Sequence, residues 1–161
     1  MEPTKDFTLK INKVKIEEIN FREPNDSLIN SFDENQLTIH INTSYTYKLE
    51  EEEVTVSMIV IYDYKNENEK KAQELLNYKG SFEFKIGNLN EIVKKNDIGI
   101  DVPDGILEII TGVAISSARG IIIAKTAGSF INQFYLPLVS PQSIIAQLKG
   151  KIANKVVSNK K

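Results

Sequence analysis

The stretch Leu37–Tyr64, LTIHINTSYTYKLEEEEVTVSMIVIYDY, decides the fold. Leu37, Ile39, Ile41, Tyr45, Tyr47 and Leu49 fall on one parity, and Thr38, His40, Asn42, Ser44 and Thr46 on the other. That is the period-two pattern of a strand with one buried face. Val54, Val56, Met58, Val60 and Tyr62 answer in step, and Glu50 to Glu53 between the runs reads as an acidic hairpin tip.

Working outward, Phe7 to Phe21 also reads as extended, but its apolar parity changes twice. Phe7, Leu9 and Ile11 share one parity, Val14 and Ile16 take the other, and Ile19 and Phe21 switch back. Two switches in one strand predict bulges or bends. Glu23-Pro24-Asn25-Asp26-Ser27 is turn chemistry. The connection then runs to about Asn35, long for a hairpin, and carries Leu28, Ile29 and Phe32. Downstream, Tyr78, Phe82, Phe84 and Ile86 form a third strand pattern ending at Gly87. Residues 67–76 favour helix by type but equally suit an extension of a neighbouring strand. The strand runs predict an antiparallel meander with one buried face.

After Pro103 the period changes. A long helix is expected from near Pro103 to about Ala127, with Pro103 suited to a first helical position and Gly128 to a stop. An apolar linker, 129–139, follows. Ser140-Pro141 opens a second helix with Ile144, Ile145, Leu148, Ile152 and Val156 on one stripe. Strands first and helices last predict an α+β fold: a four-stranded antiparallel sheet followed by one long and one shorter C-terminal helix. A single domain over 1–161 is expected, with a flexible tail from about residue 157.

Composition narrows the function. The 161 residues are 41% hydrophobic and 26% charged, with net charge -2, enough for a packed core and no reason to expect nucleic acid. There are no cysteines, which removes disulfides and thiolate metal sites. The N-terminus, Met1-Glu2-Pro3-Thr4-Lys5-Asp6, lacks an apolar h-region, so no signal peptide is expected. The Ile-rich stretch 105–124 contains Glu108 and Arg119, each costly in a bilayer. It reads as a buried helix without membrane insertion, and the chain as cytoplasmic.

Catalytic patterns are poor. His40 is the only histidine and sits mid-strand on the polar parity, so a metal site is not expected. No GxxxxGK[ST] phosphate loop occurs, and Ser116-Ser117 lies inside a helix instead of on a nucleophile elbow. No catalytic residue and no cofactor is assigned.

Two features point to binding instead. Gly112, Ser116, Gly120, Ala124 and Gly128 recur every fourth residue. An interior helix glycine costs roughly 1 kcal/mol against alanine, and small residues four apart let another backbone approach closely. With isoleucines around most of the helix, the stripe predicts contact with a second helix, and hence a homo-oligomer built on Gly112, Ser116, Gly120 and Ala124. The second feature is apolar surface outside regular elements: Leu28, Ile29 and Phe32 in one connection, and Phe130, Ile131, Phe134, Tyr135 and Leu136 in the other. Such residues either cover a core edge or line a groove.

The chain resembles the SecB family of export chaperones over most of its length. Ile19-Asn20-Phe21-Arg22-Glu23-Pro24-Asn25 is similar to the family's first-strand run, Ile-x-Phe-Glu-x-Pro-Asn, and Gly80-Ser81-Phe82-Glu83-Phe84 to its Gly-x-Phe segment. Ala118-Arg119, then Gly128 and Phe130, then Leu136-Pro137, resemble its helix-and-linker signature. The glycine arrives one residue early, and Ser140-Pro141-Gln142 replaces the family's aromatic segment after the proline. The resemblance implies a homotetramer, a dimer of dimers joined through the long helix. It also implies grooves that hold unfolded polypeptides, either preproteins for export or an antitoxin. Leu28, Phe32, Phe130, Phe134, Tyr135, Ile144 and Leu148 occupy the elements that flank the groove in that family. Glu18 matches an acidic position that docks the motor SecA. The next matching position is Arg22, and a third falls near Leu75 with Glu74 beside it, so SecA docking is expected to be weak or absent. Two other readings stand: a hotdog-like thioesterase with Asp104 or Glu108 as its carboxylate, and a non-catalytic subunit with one fixed partner.

Overall fold

A computed structural model describes residues 7–66, 70–96 and 99–158. The fold is α+β. Strands β1 (Leu9–Phe21), β2 (Leu37–Lys48), β3 (Glu53–Tyr64) and β4 (Gln73–Ile86) form an antiparallel sheet in the order β1-β4-β3-β2. Helix α1 (Asp26–Asn30) lies between β1 and β2. Helix α2 (Leu89–Ile92) and a small hairpin, β5 (Lys94–Asn96) and β6 (Gly99–Asp101), follow β4. The long helix α3 (Asp104–Lys125) and α4 (Pro141–Ser158) complete the chain.

The strand order explains the long first connection. β2, β3 and β4 are a meander, but β1 pairs with β4 at the far edge. The chain must therefore cross three strand spacings, about 14 Å, to start β2. On the way Asn25 caps α1, its side chain accepting from the Leu28 N–H at 2.9 Å, the usual use of an N-cap asparagine. The turn residues 23–27 thus also start a helix.

Both parity switches in β1 are bulges. The register against β4 shifts between Ile11 and Lys13 and again between Ile16 and Glu18. Each bulge adds one residue and restores the parity that an unbroken strand would lose. Leu9, Ile11, Val14, Ile16, Ile19 and Phe21 therefore pair with Ile86, Phe84, Phe82, Gly80, Tyr78 and Leu76. All six stand on the helix side of the sheet. Residues 73–76 extend β4, which settles that part of 67–76 as strand; 67–69 lie outside the described residues.

The core lies between β3, β4 and α3. Val54, Val56, Val60, Tyr62, Tyr78, Phe82, Phe84 and Ile86 are buried on the sheet, facing Ile106, Ile110, Ala114, Ala118 and Ile122 of α3. The Tyr45 hydroxyl and buried Thr111 share a hydrogen bond at 2.5 Å, tying β2 to the helix. Gly80 makes room for a neighbour: a Cβ there would stand 2.2 Å from the Tyr78 hydroxyl. Burial pushes the Tyr62 and Tyr78 hydroxyls up to about 12, so both stay neutral.

Pro103 is the N-cap of α3 and the helix begins at Asp104, one residue later than the sequence suggests. It also ends before Ala127. Thr126 closes it, with its hydroxyl donating to the Ile122 carbonyl at 2.8 Å, and Gly128 turns the chain at φ +82. α4 runs to Ser158, so it reaches into the segment expected as a flexible tail; 159–161 lie outside the described residues. Among the described residues α3 is the one helix long and apolar enough to cross a membrane, and 44% of that window is buried inside the protein.

Candidate functional site

The two apolar loops meet. Phe32, from the connection after α1, stacks on Tyr64 of β3 with ring centroids 4.4 Å apart. Phe130 and Phe134, from the linker after α3, pack on Phe32 at 5.1 and 4.9 Å and on each other at 5.4 Å. The offset and edge-to-face geometries are those aromatic quadrupoles favour. Tyr64 is buried, while Phe32, Phe130 and Phe134 are half-buried. The result is an aromatic patch with a buried floor and three partly exposed rings upon it.

Polar contacts hold the patch in register. The Phe130 N–H donates to the Glu23 carboxylate at 2.7 Å, so the turn after β1 clamps the linker directly. The Asp33 N–H donates to the Tyr64 hydroxyl at 3.3 Å. Leu28 is half-buried against the core.

The chain after α3 doubles back along it. Asn132 donates to the Ile123 carbonyl at 2.8 Å. Arg119 donates to the carbonyls of Leu136 and Pro137, each at 2.9 Å. Pro141 lies beside Gly112. Gln142 donates to Glu108 at 2.9 Å, and Lys149 bonds Asp104. Residues 129–149 thus form a strap from one end of α3 to the other, a helix of about 30 Å. Its middle, residues 135–140, has no regular secondary structure, with Tyr135 62% and Leu138 92% exposed.

The strap divides the residues proposed for binding. Phe32, Phe130 and Phe134 converge, with Tyr135 next in the chain and exposed. Ile144 and Leu148 lie on α4, which packs along the N-terminal half of α3, where Gln142 meets Glu108 and Lys149 meets Asp104. Ile144 is only 8% exposed and belongs to the core, and Leu148 is half-buried. Sequence reasoning missed Tyr64 as the floor of the patch. Its signal was its place at the end of β3, in step with Val60 and Tyr62.

The other proposed positions are distributed as follows. Ser116, Gly120 and Ala124 are exposed on α3 and Gly112 is partly covered. An open depression of ≈ 520 Å³ is lined by Glu108, Ile109, Gly112, Val113, Ser116 and Ser117. Glu18 is on the opposite face of the sheet, bonded to Lys79 at 2.7 Å and to Asn20 at 2.7 Å. The Lys79 hydrogen bond and charge hold its carboxyl below the usual range. Leu75 is buried, and the neighbouring Glu74 is exposed. Of the carboxylates considered for thioester chemistry, Asp104 is held by Lys149 and Glu108 by Gln142. His40 is exposed on the polar face, 3.6 Å from Asp63. Among the described residues no group of three metal-ligating side chains converges. No family model matches the chain, and no curated protein matches it.

Proposed function

We propose that this protein is a SecB-like chaperone that holds non-native polypeptides on apolar surface, without catalysis and without a cofactor, in the cytoplasm. The observation that carries the reading is the aromatic patch of Phe32, Phe130 and Phe134 on the Tyr64 floor. Aromatic rings offer large contact area at small entropic cost, and a patch without fixed polar groups accepts many sequences. The clients are segments of unfolded chain rich in aromatic and aliphatic residues, from a preprotein or an antitoxin. Phe32, Phe130, Phe134 and Tyr135 contact them, and Leu28 supports the rim.

SecA docking through Glu18 is weak in this reading. Lys79 neutralises Glu18, and Arg22 reverses the charge nearby, which slows a charge-steered encounter. The chain assembles as a homotetramer through α3.

The test is aggregation of an unrelated, chemically unfolded protein diluted into buffer without nucleotide. Near-stoichiometric suppression supports holding; undiminished aggregation removes it. A fixed-partner subunit is the second reading, favoured by Leu138, which at 92% exposure is a knob suited to one pocket. A pull-down returning one stoichiometric partner, with no unfolded clients, would put that reading first.

A further inference from the structure

The strap is held firmly at its ends and weakly between them. At one end Ile131 is buried, the Phe130 N–H donates to Glu23, and Asn132 donates to the Ile123 carbonyl. At the other, Ile144 and Ile145 are buried and Gln142 donates to Glu108. Residues 135–140 lie between, without regular secondary structure. Among the described residues, no main-chain N–H of Tyr135, Leu136, Leu138 or Val139 donates a hydrogen bond. Two interactions hold this middle down. Leu136 packs into the core at 2% exposure, while Tyr135, Pro137 and Leu138 around it are exposed. Arg119 donates from Nε to the Leu136 carbonyl and from Nη2 to the Pro137 carbonyl, both at 2.9 Å.

Neither interaction is particular to this stretch of chain. A guanidinium fork that grips two successive main-chain carbonyls reads an extended backbone and no side chain. A socket that takes one leucine takes other aliphatic side chains of like volume. A further donor stands unused nearby: the Tyr62 hydroxyl, in range of the Arg119 charge, is buried without a hydrogen-bond partner among the described residues. A buried hydroxyl left unpaired costs free energy, so the strap does not use all that this region offers a carbonyl. We propose that residues 135–140 are a resident stand-in for a ligand, occupying a peptide site made by Arg119 and the Leu136 socket, and that an extended polypeptide segment with one aliphatic anchor displaces them. The site continues the aromatic patch. Phe134 is two residues from Leu136, so a chain lying on the rings reaches Arg119 within about 7 Å. Lifting the strap exposes Leu136, and the incoming side chain restores the burial. Apparent affinity is then the intrinsic affinity reduced by the fraction of molecules whose strap is off.

The ligand class rests on the proposed function, but the two can fail separately. The probe is a fluorescein-labelled peptide of the strap's own sequence, residues 133–140, titrated with the full chain and followed by anisotropy. Leu136→Ala weakens the resident segment and leaves the receptor intact, so it is expected to bind the peptide at least about tenfold more tightly than wild type. Adding Arg119→Ala to Leu136→Ala is expected to abolish that gain. Pro137→Gly loosens the strap through chain entropy without emptying the socket. It is expected to tighten binding in the same direction, and it carries the test if Leu136→Ala does not fold. Peptide binding that is unchanged or weaker in the folded loosened variants overturns the proposal, and so does a gain that survives Arg119→Ala. An unrelated unfolded polypeptide is the second probe. Strap-peptide binding of the expected pattern without holding of that polypeptide removes the chaperone reading only. Holding that is equal in wild type, Leu136→Ala and Pro137→Gly removes this proposal only.

Discussion

β4 and β1 are hydrogen-bonded neighbours that send the same kinds of side chain to the same side of one sheet. Phe82 of β4 and Val14 of β1 stand opposite each other in the register, yet Phe82 is 0% exposed and Val14 46%. The difference is cover. α3 packs over β3 and β4 and stops short of the β1 edge. Apolar residues on β4 therefore stabilise the fold, while Ile11, Val14, Ile16 and Phe21 of β1 are exposed and only Leu9 and Ile19 are partly buried against the core. Two bulges keep the β1 row on that side, and without them Val14 and Ile16 would turn to the polar face.

The largest effect should separate the two strands. Phe82→Ala is expected to cost about 3–5 kcal/mol through lost burial and a cavity, read as a large fall in the denaturation midpoint. Val14→Ala is expected to change the stability of the dissociated chain by no more than about 0.5 kcal/mol. Equal losses would mean that β1 is covered within one chain, and the contrast would fail. Gly80→Ala, between the two rows, is expected to come next, at about 1–3 kcal/mol. The Tyr78 ring is fully buried with its hydroxyl end over Gly80, so a new methyl must displace it. A neutral Gly80→Ala would show that the ring moves freely.

The smallest effect is on the opposite, polar face. Lys79 lowers the Glu18 pKa in the folded chain. The pair's contribution is therefore present above the ordinary carboxylate range and is lost as pH falls through the lowered value. Melting curves of wild type and Lys79→Met are expected to differ slightly at pH 7 and to converge as pH falls below the usual carboxylate range. A difference that grows on acidification would reverse the assignment.

The sheet was legible because its patterns are local. Alternation in 37–64 gave β2 and β3, and the two parity switches in 7–21 located both bulges within a residue or two. What stayed hidden depends on non-local contacts. The sequence does not announce that β1 joins β4, because an edge strand looks the same beside either neighbour. Helix α1 was hidden in turn residues whose cap, Asn25, also suits a loop. At the candidate site the aromatics of both loops could be named, but the clamp from Glu23 to Phe130 spans 107 positions and carries no local signal. Ile144 shows the same limit: a helical stripe says that one face is buried, but not against what.

The central claim is that the aromatic patch is open surface for unfolded chain, not a lid on the core. The direct measurement is a fluorescence titration of a labelled, permanently unfolded polypeptide with wild type and with Phe134→Ala, alongside their melting temperatures. Affinity is expected to fall about tenfold, near 1.4 kcal/mol, with a melting temperature lowered by only a few degrees. Unchanged affinity together with a large loss of stability would make Phe134 a core residue and contradict the account.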